Sequence, residues 1–192
     1  MIRQLASFPN QLTLLRLIFI PLIVISLLEG NYRWALVLLV LAGISDALDG
    51  LLARLLRQKT LLGQYLDPIA DKLLLSTLFL VLAIMRKIPW KFTVMVFSRD
   101  IAIVVTCAVL FVASSFRDFR PSVFGKANTL AQIVTIFLVM LREISSWAWV
   151  VYAKNVGLWA TFAFTLISGI HYVFLAGHRW GAGNTTRTDA SA

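Results

Sequence analysis

The sequence predicts an all-α integral membrane protein of six transmembrane helices, and three observations predict it. Hydrophobic residues make up 59% of the 192 residues and charged residues only 14%, against about a quarter charged in a soluble domain. Long apolar segments, each on the scale of the ~20 residues needed to cross a bilayer, succeed one another along the chain. Short turns separate them, such as Glu29-Gly30-Asn31-Tyr32-Arg33 and Arg86-Lys87-Ile88-Pro89-Trp90-Lys91. The length suits one membrane domain over residues 1–180, followed by a Gly- and Thr-rich tail over 181–192 that is expected to be disordered. The sequence carries no repeat, soluble domain or low-complexity block.

A short polar lead, residues 1–11, contains Arg3 and Phe8-Pro9-Asn10. The first apolar segment, Leu12 to Leu28, has the length of a signal peptide, but no small-residue cleavage site follows it, so a retained helix is expected. Asn10, Thr13 and Arg16 form a polar stripe at its start, which capping and a snorkelling arginine would explain. The second helix is expected from Trp34 to Leu55, with a loop from Arg57 to Leu62. The third runs from Gly63 to Met85, with Pro68 in its first turns, where a proline is tolerated. The fourth covers Phe92 to Ser115 and contains Ser98-Arg99-Asp100. Neighbouring helical residues point ~100° apart, so Arg99 and Asp100 need not pair, and contact with another helix is expected.

A basic loop follows, with Arg117, Arg120 and Lys126 around Pro121 and Gly125. The fifth helix is expected from Ala127 to Leu141, with Thr129 and Gln132 on its early face. Residues 142–155 read as a link, and Trp147-Ala-Trp149 suits an interfacial aromatic belt. The sixth helix runs from Val156 to Leu175.

Six spans put both termini on one side with the loops at 54–62 and 116–126. That side holds ten Lys and Arg residues and the other six, so the first is expected to face the cytoplasm. The formal charge is +9. In a soluble protein it would suggest nucleic acid; in a membrane it points to anionic headgroups and phosphorylated substrates. The lone Cys107 excludes an internal disulfide. His171 and His178 have no acidic or cysteine neighbour in sequence and read as interfacial side chains.

The densest chemistry lies between Asp46 and Asp71. The chain has nine acidic residues, and four of them, Asp46, Asp49, Asp67 and Asp71, lie here in or beside apolar segments. A carboxylate in such a setting costs several kcal/mol unless paired or bound to a cation. On one helix Asp46, Asp49, Gly50 and Ala53 share a face. Gly63, Asp67 and Asp71 stack at i, i+4 and i+8 on the next. The link from Arg54 to Thr60 turns the chain back, so the two acidic faces can meet. Oxygen-only donors favour a hard cation, Mg²⁺ or Mn²⁺, and Gly50 and Ala53 let another helix or a phosphate group approach the backbone.

Asp46-x2-Asp49-Gly50-x2-Ala53-Arg54-x8-Gly63-x3-Asp67-x3-Asp71 resembles the complete signature of the CDP-alcohol phosphatidyltransferase family. All eight defining positions are present. The resemblance implies a six-helix membrane bundle that transfers a phosphatidyl group from CDP-diacylglycerol to an alcohol, releasing CMP. It implies two metal ions on the four aspartates, with Asp71 also the general base. CDP-lipid would be bound by Arg54, Gly50, Ala53 and Gly63. The family tends to begin with a stretch like Pro9-Asn10-x-Leu12-Thr13-x2-Arg16, which gives Asn10 and Thr13 a competing role near the nucleotide. The resemblance also implies a homodimer and a multi-pass inner (plasma) membrane location, with the site open to the cytoplasm.

The acceptor is less sharply defined. Gly125-Lys126-x2-Thr129-x2-Gln132 looks like the bacterial phosphatidylglycerophosphate synthase and single-domain cardiolipin synthase branches. Their acceptors, glycerol 3-phosphate and phosphatidylglycerol, both carry a phosphate for Arg117, Arg120 and Lys126 to hold, and a cytoplasmic anchor is the plainer role for those residues. The small soluble acceptor suits the basic loop better, so glycerol 3-phosphate is the expected acceptor. A divalent-cation carrier is the reading from another class. It would need polar residues through the membrane depth, whereas the four acids cluster near one surface. A catalytically silent scaffold is disfavoured because no motif residue is replaced.

Overall fold

A computed structural model of the chain describes the backbone of residues 8–55, 61–113 and 123–188, and side chains within 15–45, 47–48, 70–102, 105 and 125–169. The described residues form six α-helices and no strand. In chain order they are α1 (Phe8–Leu28), α2 (Tyr32–Leu55), α3 (Leu61–Ile84), α4 (Trp90–Ala113), α5 (Val123–Ile144) and α6 (Ala148–Thr188). Two stretches, Gly125–Ile144 and Ala148–Gly169, are long and apolar enough to cross a bilayer, and Leu15–Leu28 and Tyr32–Ser45 are shorter apolar stretches.

The helices form two compact units. The first comprises Met1–Pro89 with Thr135–Lys154, the second Trp90–Val134 with Asn155–Ala192. In the first unit α1 packs against both α2 and α3. Helical spacing explains the core. Ile23 and Leu27 of α1 are fully buried, as are Leu78, Phe79, Leu82 and Ala83 of α3, and Ala35, Leu39 and Ala42 lie along one face of α2. These positions recur at three- and four-residue intervals, the period that gives a helix one apolar stripe. The outward faces are apolar too, with Ile18, Ile25, Leu28, Val37 and Ile44 exposed. Such faces suit hydrocarbon and would be a liability in water.

Two helices of this unit end in the same way. After α1 the Gly30 amide donates to the Leu27 carbonyl and the Asn31 amide to the Ser26 carbonyl, at 2.9 and 2.8 Å. After α3 the Arg86 amide donates to Ala83 and the Lys87 amide to Leu82, at 2.9 and 2.8 Å. Both are Schellman ends, which need one left-handed residue. Gly30 has φ 74° and Arg86 φ 59°. Asn31 then caps α2, its side-chain oxygen accepting from the Trp34 amide at 3.5 Å. Lys87 crosses to Glu143 of α5 with a 2.5 Å contact. That carboxylate holds the Lys87 ammonium pKa above its ordinary value.

In the second unit Phe92 meets Trp159 and Phe162 edge-on, at centroid distances of 5.6 and 6.1 Å. The Lys91 ammonium lies 4.9 Å from the Trp159 ring centroid, a cation–π contact at an aromatic surface.

Helix boundaries depart from the sequence expectation in four places, one of them α5, which runs from Val123 to Ile144 rather than from Ala127 to Leu141. α1 starts at Phe8 rather than Leu12, since Pro9 fits a first turn, where its missing N–H would have no partner anyway. α6 starts at Ala148, so most of the expected link over 142–155 is helical. α6 also continues to Thr188, past the expected stop at Leu175 and into the expected disordered tail. No proline lies between Gly177 and Thr188 to interrupt the hydrogen-bond ladder.

Candidate active site

The site is built at the end of α2 and the start of α3. Asp46, Asp49, Gly50, Ala53 and Arg54 occupy the last turns of α2, and Gly63, Asp67 and Asp71 the first turns of α3. Both halves of the acidic motif are therefore helical, as the spacing requires. The side chains of Asp46, Asp49, Gly50, Ala53, Arg54, Gly63 and Asp67 lie outside the described ones, as do those of Asn10 and Thr13 on α1. Arg117 and Arg120 lie outside the described residues altogether.

Asp71 is described, and its surroundings were not anticipated. The Arg16 guanidinium of α1 donates from Nη1 to Asp71 Oδ1. The Arg16 side chain is 3% exposed and that of Asp71 46%. Burying a guanidinium is costly unless it is paired and hydrogen-bonded, so Asp71 is the counter-charge that lets Arg16 sit inside. The Arg16 side is buried while the aspartate side chain stays half exposed. Arg16 comes from the same stripe of α1 as buried Ile23 and Leu27, seven and eleven residues further on. A snorkelling arginine would belong to a lipid-facing stripe. The register therefore carried the signal, although the residue type alone suggested an interfacial anchor.

Lys126 is exposed in the first turns of α5. The Thr129 hydroxyl donates to the Gly125 carbonyl at 3.1 Å, one turn back, and Gln132 is buried. Deeper in the second unit a polar network was missed apart from Arg99, Asp100 and Gln132. Arg99 Nη1 donates to Asp100 Oδ1 at 3.1 Å, and its Nη2 to Ser168 Oγ of α6 at 2.8 Å. The adjacent pair does meet, because a long arginine can fold back over one residue, and the contact with another helix also forms. The Thr165 hydroxyl donates to Asn128 Oδ1 at 2.9 Å. Thr165, Ser168 and Asn128 are all buried, so these polar side chains tie α4, α5 and α6 together where lipid offers no alternative partner.

Among the described residues no group of three metal-ligating side chains is assembled, and Asp71 is the one described member of the expected set. Its side chain is half exposed, which suits a carboxylate that meets a cation, while Arg16 already bonds one of its oxygens. The other donors of the motif are carboxylates as well, a set matched to hard divalent ions.

Two consecutive helices, each carrying half of an acidic motif, with a third helix packed against both, define the class. A family model described as CDP-alcohol phosphatidyltransferase matches residues 6–167, and the chain belongs to that family. Its relatives carry two kinds of name. A rat protein named cardiolipin synthase (CMP-forming) is 30% identical over 191 aligned residues, covering 90% of this chain and 62% of the rat protein. A Mycobacterium tuberculosis protein named "Probable phosphatidylglycerophosphate synthase" is 34% identical over 179 residues, covering 88% and 81%. A Bacillus subtilis protein named CDP-diacylglycerol–glycerol-3-phosphate 3-phosphatidyltransferase is 29% identical over 182 residues, covering 86% and 93%. The chain thus spans less than two thirds of the rat relative's length and most of the two bacterial ones.

Proposed function

We propose that this protein transfers the phosphatidyl group of CDP-diacylglycerol to glycerol 3-phosphate, giving phosphatidylglycerophosphate and CMP. The observation that carries the proposal is the complete acidic motif on consecutive helices, with Asp71 bonded by Arg16 and half exposed. Relatives named for this reaction in M. tuberculosis and B. subtilis support it.

In the proposed reaction the acceptor hydroxyl attacks the phosphorus bearing diacylglycerol. Its oxygen bonds to that phosphorus, the bond to the CMP phosphate breaks, and CMP leaves. Asp71 takes the hydroxyl proton. Arg54 holds a diphosphate oxygen, for which a guanidinium has matching geometry. Gly50, Ala53 and Gly63 give the nucleotide close approach to the backbone, and Asn10 and Thr13 flank it. Asp46, Asp49, Asp67 and Asp71 would hold two Mg²⁺ or Mn²⁺ ions. Such ions, when bound, neutralise the diphosphate and stabilise the leaving phosphate. Lys126, with Arg117 and Arg120, would bind the acceptor phosphate.

The proposal includes six membrane-spanning helices, the inner (plasma) membrane, a site facing the cytoplasm and a homodimer. α6, 41 residues long, would extend about 60 Å, so its end would stand clear of a ~30 Å hydrocarbon core. A second reading changes only the acceptor to phosphatidylglycerol, and the relatives named cardiolipin synthase favour it. The test is CMP release by the purified protein in detergent, from labelled CDP-diacylglycerol, with glycerol 3-phosphate, phosphatidylglycerol, serine or inositol as acceptor. Release that requires glycerol 3-phosphate supports the proposal. Release with phosphatidylglycerol alone moves the assignment to cardiolipin synthesis, and no release with any acceptor removes it.

A further inference from the structure

We infer that Arg16 is a positioning residue for Asp71: from α1 it holds the carboxylate in one orientation and supplies a resident positive charge against which any divalent ion at that carboxylate must compete. The inference rests on the proposed role of Asp71 and extends it to a helix outside the acidic motif.

Three features carry it. The guanidinium bonds Asp71 Oδ1 directly. The two side chains are unequally buried, 3% exposed for Arg16 and 46% for Asp71, so the arginine is the fixed partner and the aspartate stays accessible. The helix that brings Arg16 is itself held in place, because α1 packs on both α2 and α3, with Ile23 and Leu27 of the same stripe fully buried. An arginine held this way cannot follow a wandering aspartate, so the aspartate must stay with the arginine. A base that takes a proton from a hydroxyl depends on its orientation.

The resident charge has a second effect. Arg16 stays protonated at every working pH. It therefore repels a divalent ion approaching the same carboxylate, and that repulsion is screened little on the buried side. Removing the charge should strengthen metal binding while weakening catalysis. A residue needed only for packing would move both in the same direction.

The experiment uses the full chain in detergent with Arg16→Met, which keeps length and apolar bulk, and Arg16→Lys, which keeps the charge. Mn²⁺ binding is followed by electron paramagnetic resonance without substrate, turnover by CMP release, and folding by thermal unfolding. Arg16→Met is expected to bind Mn²⁺ more tightly. Its kcat should fall by about tenfold or more, the usual scale for losing a partner that orients a ligand, with the KM for CDP-diacylglycerol nearly unchanged. Arg16→Lys should return Mn²⁺ affinity towards wild type and recover part of kcat. Arg16→Met with wild-type kcat, or with Mn²⁺ binding weakened alongside kcat, overturns the inference. If Arg16→Met does not fold, Arg16→Lys decides: lowered kcat at wild-type Mn²⁺ affinity supports it, and kcat equal to wild type overturns it. Asp71→Asn measured in parallel separates the two proposals. If that variant binds Mn²⁺ and turns over normally, the assigned role of Asp71 fails, whatever Arg16 does.

Discussion

An arginine buried midway along α1 donates to a half-exposed aspartate of α3, and at the residue scale that asymmetry governs what substitutions do. Asp71→Asn keeps an acceptor oxygen for Arg16 but removes the counter-charge. CMP release is expected near background, with a loss of stability of about 1–3 kcal/mol for the weakened bond. Turnover measured beside thermal unfolding checks both. Substantial turnover in a folded Asp71→Asn protein would take the base role from Asp71. Lys87 offers a prediction on pH. Its hydrogen bond to Glu143 raises its pKa above 10.5. The folded protein therefore holds this proton more tightly than the unfolded chain does. The stabilisation is complete below pH 10.5 and is lost as pH climbs through the raised value. Unfolding followed from pH 8 to 12 should show a loss at the alkaline end that Glu143→Gln diminishes. Curves that superimpose for the two proteins would mean the contact contributes nothing.

Among the elements, the two Schellman ends form a controlled pair, with glycine at the left-handed position after α1 and arginine after α3. Left-handed backbone costs an L-residue about 1 kcal/mol, and Gly30 avoids it. Nothing lies within 4 Å of the Cβ that Gly30 would gain, so conformation alone sets the penalty there. Gly30→Ala should destabilise by about 1 kcal/mol and Arg86→Gly stabilise by a similar amount, read as opposite shifts in thermal midpoint. Shifts of the same sign would place the control elsewhere. The order and approximate extent of all six helices were legible, because apolar runs and turn residues are local signals. What escaped was the start of α1 at Phe8, the start of α5 at Val123, the start of α6 at Ala148 and its continuation to Thr188. Glycines and polar residues weaken a helix without ending it, so composition drew the boundary of α6 too early. In the second unit the link from Asn128 to Thr165 escaped for another reason, and so did the identity of Ser168 as the partner in the interhelical contact expected of Arg99. Partners 37 and 69 residues apart share no local pattern.

For the whole molecule, the family was readable from eight motif positions, and the match over residues 6–167 agrees with that reading. The helical placement of the motif was legible, because its residues are periodic along one chain segment. The site was illegible where a distant helix contributes, as Arg16 does across 55 residues to Asp71. The acceptor stays outside both kinds of signal, because Lys126 at the start of α5, in its proposed role, would suit either phosphorylated acceptor. The central claim is that α2 and α3 gather Asp46, Asp49, Asp67 and Asp71 around hard cations. Anomalous diffraction at the manganese edge, from crystals of the protein grown with Mn²⁺ and a cytidine nucleotide, tests it most directly. The account predicts two manganese peaks, each bounded by carboxylate oxygens of these four residues and facing the diphosphate. Aspartates that point apart or into lipid, with no manganese between them, would contradict it.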